Sequence, residues 1–257
     1  MNLKFFYSPL EQFEVLPLIP LYFGGIDVSI TNETVILLII FFFISILFCS
    51  SFNPKDSTLN LIPSKFQSVF EFLYRVIISL VVDNLGKESG QPFFPILFSI
   101  FFFIVCLNLI GLIPYSFTLT SHLIVTFALA LLIFIALNII CVKKHGFAFF
   151  SLFLPSGTSF GLALLLVPIE FISYVFKPVS LSIRLFANMM AGHTLLKVIA
   201  GFAWTLSACT GILFLIHYIP LLILLPLFGL ELGVALIQSF VFVILICIYL
   251  NDAINLH

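Results

Sequence analysis

The chain has 257 residues, of which 62% are hydrophobic and only 8% charged, with 34 phenylalanines and a mean hydropathy of +1.30. Such a composition excludes a soluble globular domain and points to an all-α, polytopic membrane protein, read here as a single membrane domain over residues 1–257. A net charge of −1 gives no basic field for nucleic acid, and the five cysteines (Cys49, Cys106, Cys141, Cys209 and Cys247) lie in apolar stretches without CxxC or ligand spacing, as small core residues rather than disulfides or a metal site.

In chain order, residues 1–33 mix aromatics with Glu11, Glu14, Asp27 and Glu33 and contain Lys4 as their one base. That balance lacks the Arg-rich, acid-poor character of a transit peptide. Residues 34–52 form the first expected span, close to the lower limit of the about 17 to 25 residues that cross a bilayer. Its leading flank is acidic and its trailing flank carries Lys55, Lys65 and Arg75, so its C-terminal end is expected on the inner side. Residues 64–85 repeat polar groups at helical spacing (Ser64, Ser68, Glu71, Arg75, Ser79). They predict an amphipathic helix, lying on the inner membrane surface or packed on neighbouring helices.

After a polar turn, residues 93–142 predict a transmembrane hairpin whose second arm ends at Lys143-Lys144-His145, again an inner-side signal. Asn108 lies within the first arm and reads either as an interhelical hydrogen-bonding group or as part of a polar pathway. A loop over residues 146–159, with Pro155, Ser156 and Gly157, leads into the apolar segment 160–208. As one helix it would run about 73 Å against a hydrocarbon core of about 30 Å, so it must tilt strongly, bend or break. Pro168 and Pro178 supply bending points. Cys209 to Gly211 and Pro220 punctuate the chain before a second long segment, about 221–250, carrying Glu231 and Gln238, with Asp252 just beyond its apolar end.

The charges within 160–208 carry the functional signal. Glu170, Lys177 and Arg184 recur at seven-residue steps, with Ser173, Ser180 and Asn188 alongside, and so share one helical stripe. An Arg near the centre of a membrane helix costs about 2.5 to 3.5 kcal/mol on insertion scales, and such charges mark ion pathways, relays or counter-ions. The alternative is an Arg that snorkels or meets a structural partner. In an antiparallel hairpin facing residues keep a nearly constant sum of residue numbers. Arg184 with Gln238, His193 with Glu231, and Glu170 with Asp252 agree to within about two. Polar groups are therefore expected at three depths. Nine residues separate Arg184 from His193, about half a turn apart in direction, so direct His193–Glu231 contact and a water-bridged route both remain open. Glu231, Glu170, Asp252 and His193 can exchange protons, whereas the Arg184 guanidinium stays protonated. Two offset polar routes separated by a fixed positive charge pass a proton only on a carrier that moves around that charge.

The stretch Ser180-Leu-Ser-Ile-Arg184-Leu-Phe-Ala-Asn188-Met-Met-Ala-Gly-His193 strongly resembles the signature of subunit a of the F-type ATP synthase in its mitochondrial form, and the resemblance extends from Ser8 to the C-terminus. The C-terminal Ile248-Tyr-Leu-Asn-Asp-Ala-Ile-Asn-Leu-His257 resembles plant and algal versions in particular. The resemblance implies a stator subunit facing a ring of c subunits, each with a membrane carboxylate. It implies that Arg184 faces that carboxylate as the barrier, with Asn188 and Gln238 shaping the site. His193, Glu231 and, by its place in Asn108-Leu-Ile-Gly-Leu-Ile-Pro, Asn108 would line the intermembrane-space half-channel, and Glu170 and Asp252 the matrix half-channel. Lys177 reads as an interface anchor. Further implied partners are the peripheral stalk, other membrane subunits and lipid, with dimerisation of the complex left open. The implied place is the mitochondrial inner membrane, N-terminus toward the intermembrane space and C-terminus toward the matrix, and synthesis within the organelle would suit the absence of a transit-like leader. No phosphate-binding loop or clustered metal ligands occur, so no cofactor and no nucleotide chemistry are expected of this chain. A proton-coupled secondary transporter would call for a second copy of the Arg184 segment, which the sequence lacks. A purely structural membrane subunit would leave the three-depth register a coincidence.

Overall fold

The computed structural model describes residues 11–23, 26–51, 65–113, 116–146, 149, 160–207 and 216–254. Among the described residues seven α-helices carry the fold: α1 (Asn32–Ser51), α2 (Lys65–Leu85), α3 (Lys87–Gly90), α4 (Phe94–Gly111), α5 (Leu123–His145), α6 (Phe160–Ser207) and α7 (Tyr218–Ile254). Among the described residues four of them, α4 to α7, are long and apolar enough to cross a membrane, and the all-α polytopic class expected from composition is the one observed. The loop expected over 146–159 lies outside the described residues except at Gly146 and Phe149, and the break expected at Cys209–Gly211 lies outside them altogether.

Ahead of α1 the chain makes a small antiparallel hairpin, β1 (Pro17–Ile19) with β4 (Ile30–Thr31) and β2 (Tyr22–Phe23) with β3 (Ile26–Asp27). It is joined to the helix by Asn32, whose Oδ1 accepts from Leu16 N (3.2 Å) and whose Nδ2 donates to Glu14 O (3.1 Å). Thr31 Oγ1 accepts from Thr34 N at 3.4 Å, the N-cap geometry that satisfies one of the free donors of a first turn.

The described chain divides into two compact units. The first unit comprises residues 1–46, 103–122 and 185–238. Its core gathers Ile40 of α1, Cys106 and Leu107 of α4, and Phe117 and Leu119 of the connection after α4, with a second cluster of Leu112, Met189 and Ala235. That connection is itself buried from Phe117 to Ser121. It hydrogen-bonds within itself, Thr118 Oγ1 donating to Ser121 Oγ at 2.6 Å, and a Cβ at Gly111 would come within 2.9 Å of Thr118 Cγ2. Thr118 and Ser121 thus satisfy each other inside the protein, while the buried Thr120 Oγ1 makes no hydrogen bond among the described residues.

The second unit comprises residues 47–102, 123–184 and 239–257. Here the amphipathic α2 lays its apolar face on α4 through an aromatic ladder: Phe70 stacks on Phe102 (5.1 Å), and Tyr74 meets Phe94 and Phe98 edge-on (4.8 and 6.0 Å). Of the two readings left open for this helix, helix packing is what the described residues display, with Arg75 and Glu71 paired at 3.8 Å on its polar face. Gly86 follows α2 at φ 78° and ψ 160°, a positive-φ backbone that glycine adopts readily for want of a Cβ.

The two long helices contribute to both units, the division falling after Arg184 in α6 and after Gln238 in α7. Each contains internal prolines, Pro168 and Pro178 in α6 and Pro226 in α7. Each of these removes a ladder donor and leaves the carbonyl four residues earlier without its usual partner. Pro220, expected to precede the second segment, instead sits in the first turn of α7, where a missing N–H costs nothing.

Candidate functional site

In the first unit, Glu231 of α7 is 4% exposed. It approaches His193 of α6, Nε2 to Oε1 3.6 Å, so two proton-exchanging groups expected at one depth are brought together. Gly192 makes the approach possible: a Cβ there would lie 2.7 Å from Glu231 Oε1 and 3.0 Å from its Cδ. The His193 ring is met on another side by Phe13, edge-on at 6.4 Å. Asn108 of α4 is fully buried and donates from Nδ2 to the Ala235 carbonyl at 3.1 Å, one helical turn past Glu231. His193 Nε2, both carboxylate oxygens of Glu231 and Asn108 Oδ1 are buried and make no hydrogen bond among the described residues. Four such atoms on three neighbouring positions are unusual, since buried polar atoms are otherwise paired with protein or water, and they form a polar line inside an apolar unit. Asn188 and Gln238 also belong to this unit and are half-buried.

In the second unit, Asp252 lies within α7 and its Oδ2 is 3.3 Å from Lys177 Nζ. The Lys177 ammonium also sits over the rings of Tyr174 (5.2 Å) and Tyr249 (4.8 Å). Tyr174 donates its hydroxyl to Asn138 Oδ1 on α5. The end of α7 is held to α5 by Lys144 Nζ and His145 Nε2 at the Ile254 carbonyl (3.2 and 3.0 Å). Glu170 is exposed and makes no hydrogen bond or ion pair among the described residues. Sequence register set Glu170 opposite Asp252; the group that meets Asp252 is Lys177, one heptad further on. Arg184 is exposed and, within its unit, makes neither a hydrogen bond nor an ion pair. Ile183 beside it is also exposed, and Ser180 and Asn188 lie one turn before and after it on the same helix.

Sequence reasoning missed Gly192, Asn138, Tyr174 and Tyr249. Asn138 carried a signal, a lone amide in the apolar α5, of the kind that hydrogen-bonds between membrane helices. The two tyrosines each stand three residues before a charged partner, Tyr174 before Lys177 and Tyr249 before Asp252, a spacing that places ring and charge on one face. Among the described residues no group of His, Cys, Asp and Glu could hold a metal ion.

Comparison with known proteins places these residues in a family. The family model described as ATP synthase A chain matches residues 34–251. Subunit a of the ATP synthase of Pylaiella littoralis is 55% identical over 98% of this chain and 100% of its own length, and that of Chondrus crispus is 50% identical over 97% of each. The Brassica napus subunit a is 49% identical, again over 97% of each chain. With four apolar helices long enough to cross a membrane and a family match over most of its length, the chain belongs to the ATP synthase A chain family, as a membrane subunit of that machine.

Proposed function

We propose that this chain is the proton-conducting stator subunit of an ATP synthase of the mitochondrial inner membrane, loading and unloading protons on the carboxylates of a c-subunit ring. The observation that carries the reading is the buried Glu231–His193 pair with its line of unpaired polar atoms. In a dry interior each unmade hydrogen bond costs about 1–3 kcal/mol, so the arrangement fits a hydrated path better than a packed core. On this reading a proton from the outer side reaches His193, Glu231 and the neighbourhood of Asn108, and passes to a ring carboxylate. Rotation then brings that carboxylate toward Asp252 and Glu170, where the proton leaves to the inner side.

Arg184 fits the barrier role on two grounds. It is exposed and has no ion pair among the described residues of its own unit, and a guanidinium in lipid is costly enough to require an anionic neighbour. A ring carboxylate would be that neighbour, with Asn188 and Gln238 beside it. The remaining membrane subunits, the peripheral stalk and lipid would cover the other apolar faces. ATP chemistry belongs to other subunits. The test is reconstitution of the purified complex in liposomes with an imposed proton gradient. Glu231→Gln is expected to lower ATP synthesis while ATP hydrolysis by the detached head stays normal. Unchanged synthesis with Glu231→Gln would refute the proton route.

A further inference from the structure

The Lys177–Asp252 pair has more architecture around it than a half-exposed ion pair needs. The Lys177 side chain is 24% exposed and that of Asp252 45%. Exposed pairs of this kind contribute little to stability, so the surrounding order has to be explained otherwise. The ammonium is bracketed by one ring from each long helix, Tyr174 at 5.2 Å and Tyr249 at 4.8 Å, both within the about 6 Å at which a ring face attracts a cation. Tyr174 cannot swing away freely. Its hydroxyl is held by Asn138 Oδ1, the same amide donates from Nδ2 to the Phe134 carbonyl at 2.9 Å, and the Phe134 ring lies 5.0 Å from that of Tyr174. Asp252 is fixed from its other side, because Lys144 and His145 both meet the carbonyl of Ile254 two residues on. All of these groups line or adjoin one small recess between α5, α6 and α7 of the second unit. Within it only one carboxylate oxygen, Oδ2, is engaged, and Oδ1 makes no hydrogen bond among the described residues.

We propose that Lys177 is the positioning residue for Asp252: by holding Oδ2 on its ammonium it presents Oδ1 as the one oxygen on which a departing proton lands in the inner half-channel. The proposal rests on the reading of Asp252 as a proton-carrying group given above. It assigns Lys177 a part in the reaction without making it a carrier: the proton bonds to Oδ1 and leaves from Oδ1, and the Nζ protons stay on the lysine throughout. The tyrosine rings hold the ammonium where the carboxylate must be, and Asn138 holds one of those rings.

The experiment compares complexes containing Lys177→Met, Lys177→Arg, Asp252→Asn and the Lys177→Met/Asp252→Asn double variant, each checked for assembly and assayed in liposomes for proton-driven ATP synthesis. Lys177→Met is expected to slow synthesis about fivefold or more, and in the Asp252→Asn background to change it by less than about twofold, as residues acting through one contact do. Lys177→Arg, which keeps the charge, is expected to recover at least about half of the native rate. An equal factor for Lys177→Met in both backgrounds, or an arginine variant no better than the methionine one, overturns the proposal. Should Lys177→Met fail to assemble, Lys177→Gln carries the same comparison with the stem length nearly kept. A native rate for Asp252→Asn overturns the reading of Asp252 as a proton group, and the proposal with it. A slow Asp252→Asn beside a native Lys177→Met overturns the lysine assignment alone.

Discussion

Glu231 and Asp252 are acids on the same helix, yet the two units give them opposite surroundings. Glu231 is buried, pressed against α6 at Gly192, and faces an imidazole, with no hydrogen bond to either oxygen among the described residues. Asp252 is half open, and one of its oxygens is taken by an ammonium set between two aromatic rings. An imidazole changes its charge within the physiological range, so the first pair can itself take up and pass on a proton. An ammonium on a lysine stem acts as a compact point charge, so the second pair orients an acid and does not share a proton with it. The difference teaches that membrane carboxylates should be compared by what their neighbour can do with a proton, and not by depth alone.

Substitutions can break or sharpen that contrast. The largest effect is expected at Arg184. Arg184→Ala should lower proton-driven ATP synthesis about a hundredfold or more, since a fixed charge aimed at a developing one is the costliest kind to lose, while native electrophoresis shows an assembled complex. Retained synthesis at normal coupling would remove the barrier between the two routes. Next comes Glu231→Gln, which keeps shape and removes the exchangeable proton. A fall of about tenfold to a hundredfold in the same assay is expected, and a native rate would mean that the buried pair is only a packing feature.

A smaller effect is expected at Gly192. Gly192→Ala drives a methyl group onto the Glu231 carboxylate and should destabilise the complex by about 1–3 kcal/mol, the usual cost of overpacking, seen as a lowered melting temperature. Combining it with Glu231→Asp, one methylene shorter, should restore part of the loss, which a clash elsewhere would not allow. The smallest belongs to Asn108→Leu, which gives up the bond to the Ala235 carbonyl at a cost of about 1–2 kcal/mol. If Asn108 also lines the polar route, the synthesis rate falls further than thermal stability alone accounts for. A change confined to stability would leave it an interhelical tie.

Much of this was legible before any coordinates. The helices begin and end close to where apolar runs meet Pro, Gly or charge: α6 was expected over 160–208 and α2 over 64–85, and they span Phe160–Ser207 and Lys65–Leu85. The register that put His193 beside Glu231 came from residue numbers alone, because two antiparallel helices rise at the same rate. That arithmetic weakens where side chains are long or helices carry prolines. Lys177 reaches Asp252 on a four-carbon stem next to Pro178, and no count of residues would place it there ahead of Glu170. The hairpin before α1 was missed because its strands are only two or three residues long, although Gly24-Gly25 between apolar runs is a recognised hairpin signal. Gly192 was hidden for another reason: a glycine records the need for space, and the sequence does not say which atom will fill it.

The connection after α4 has a practical meaning beyond the fold. Loops between membrane helices are the usual places to insert an epitope, a fluorophore or a cross-linker, because they are expected to hang in water. From Phe117 to Ser121 this one is folded inward and bonded to itself, with Thr118 lodged against Gly111. It behaves as a rivet in the first unit, and a reporter placed there would be inserted into the protein's interior.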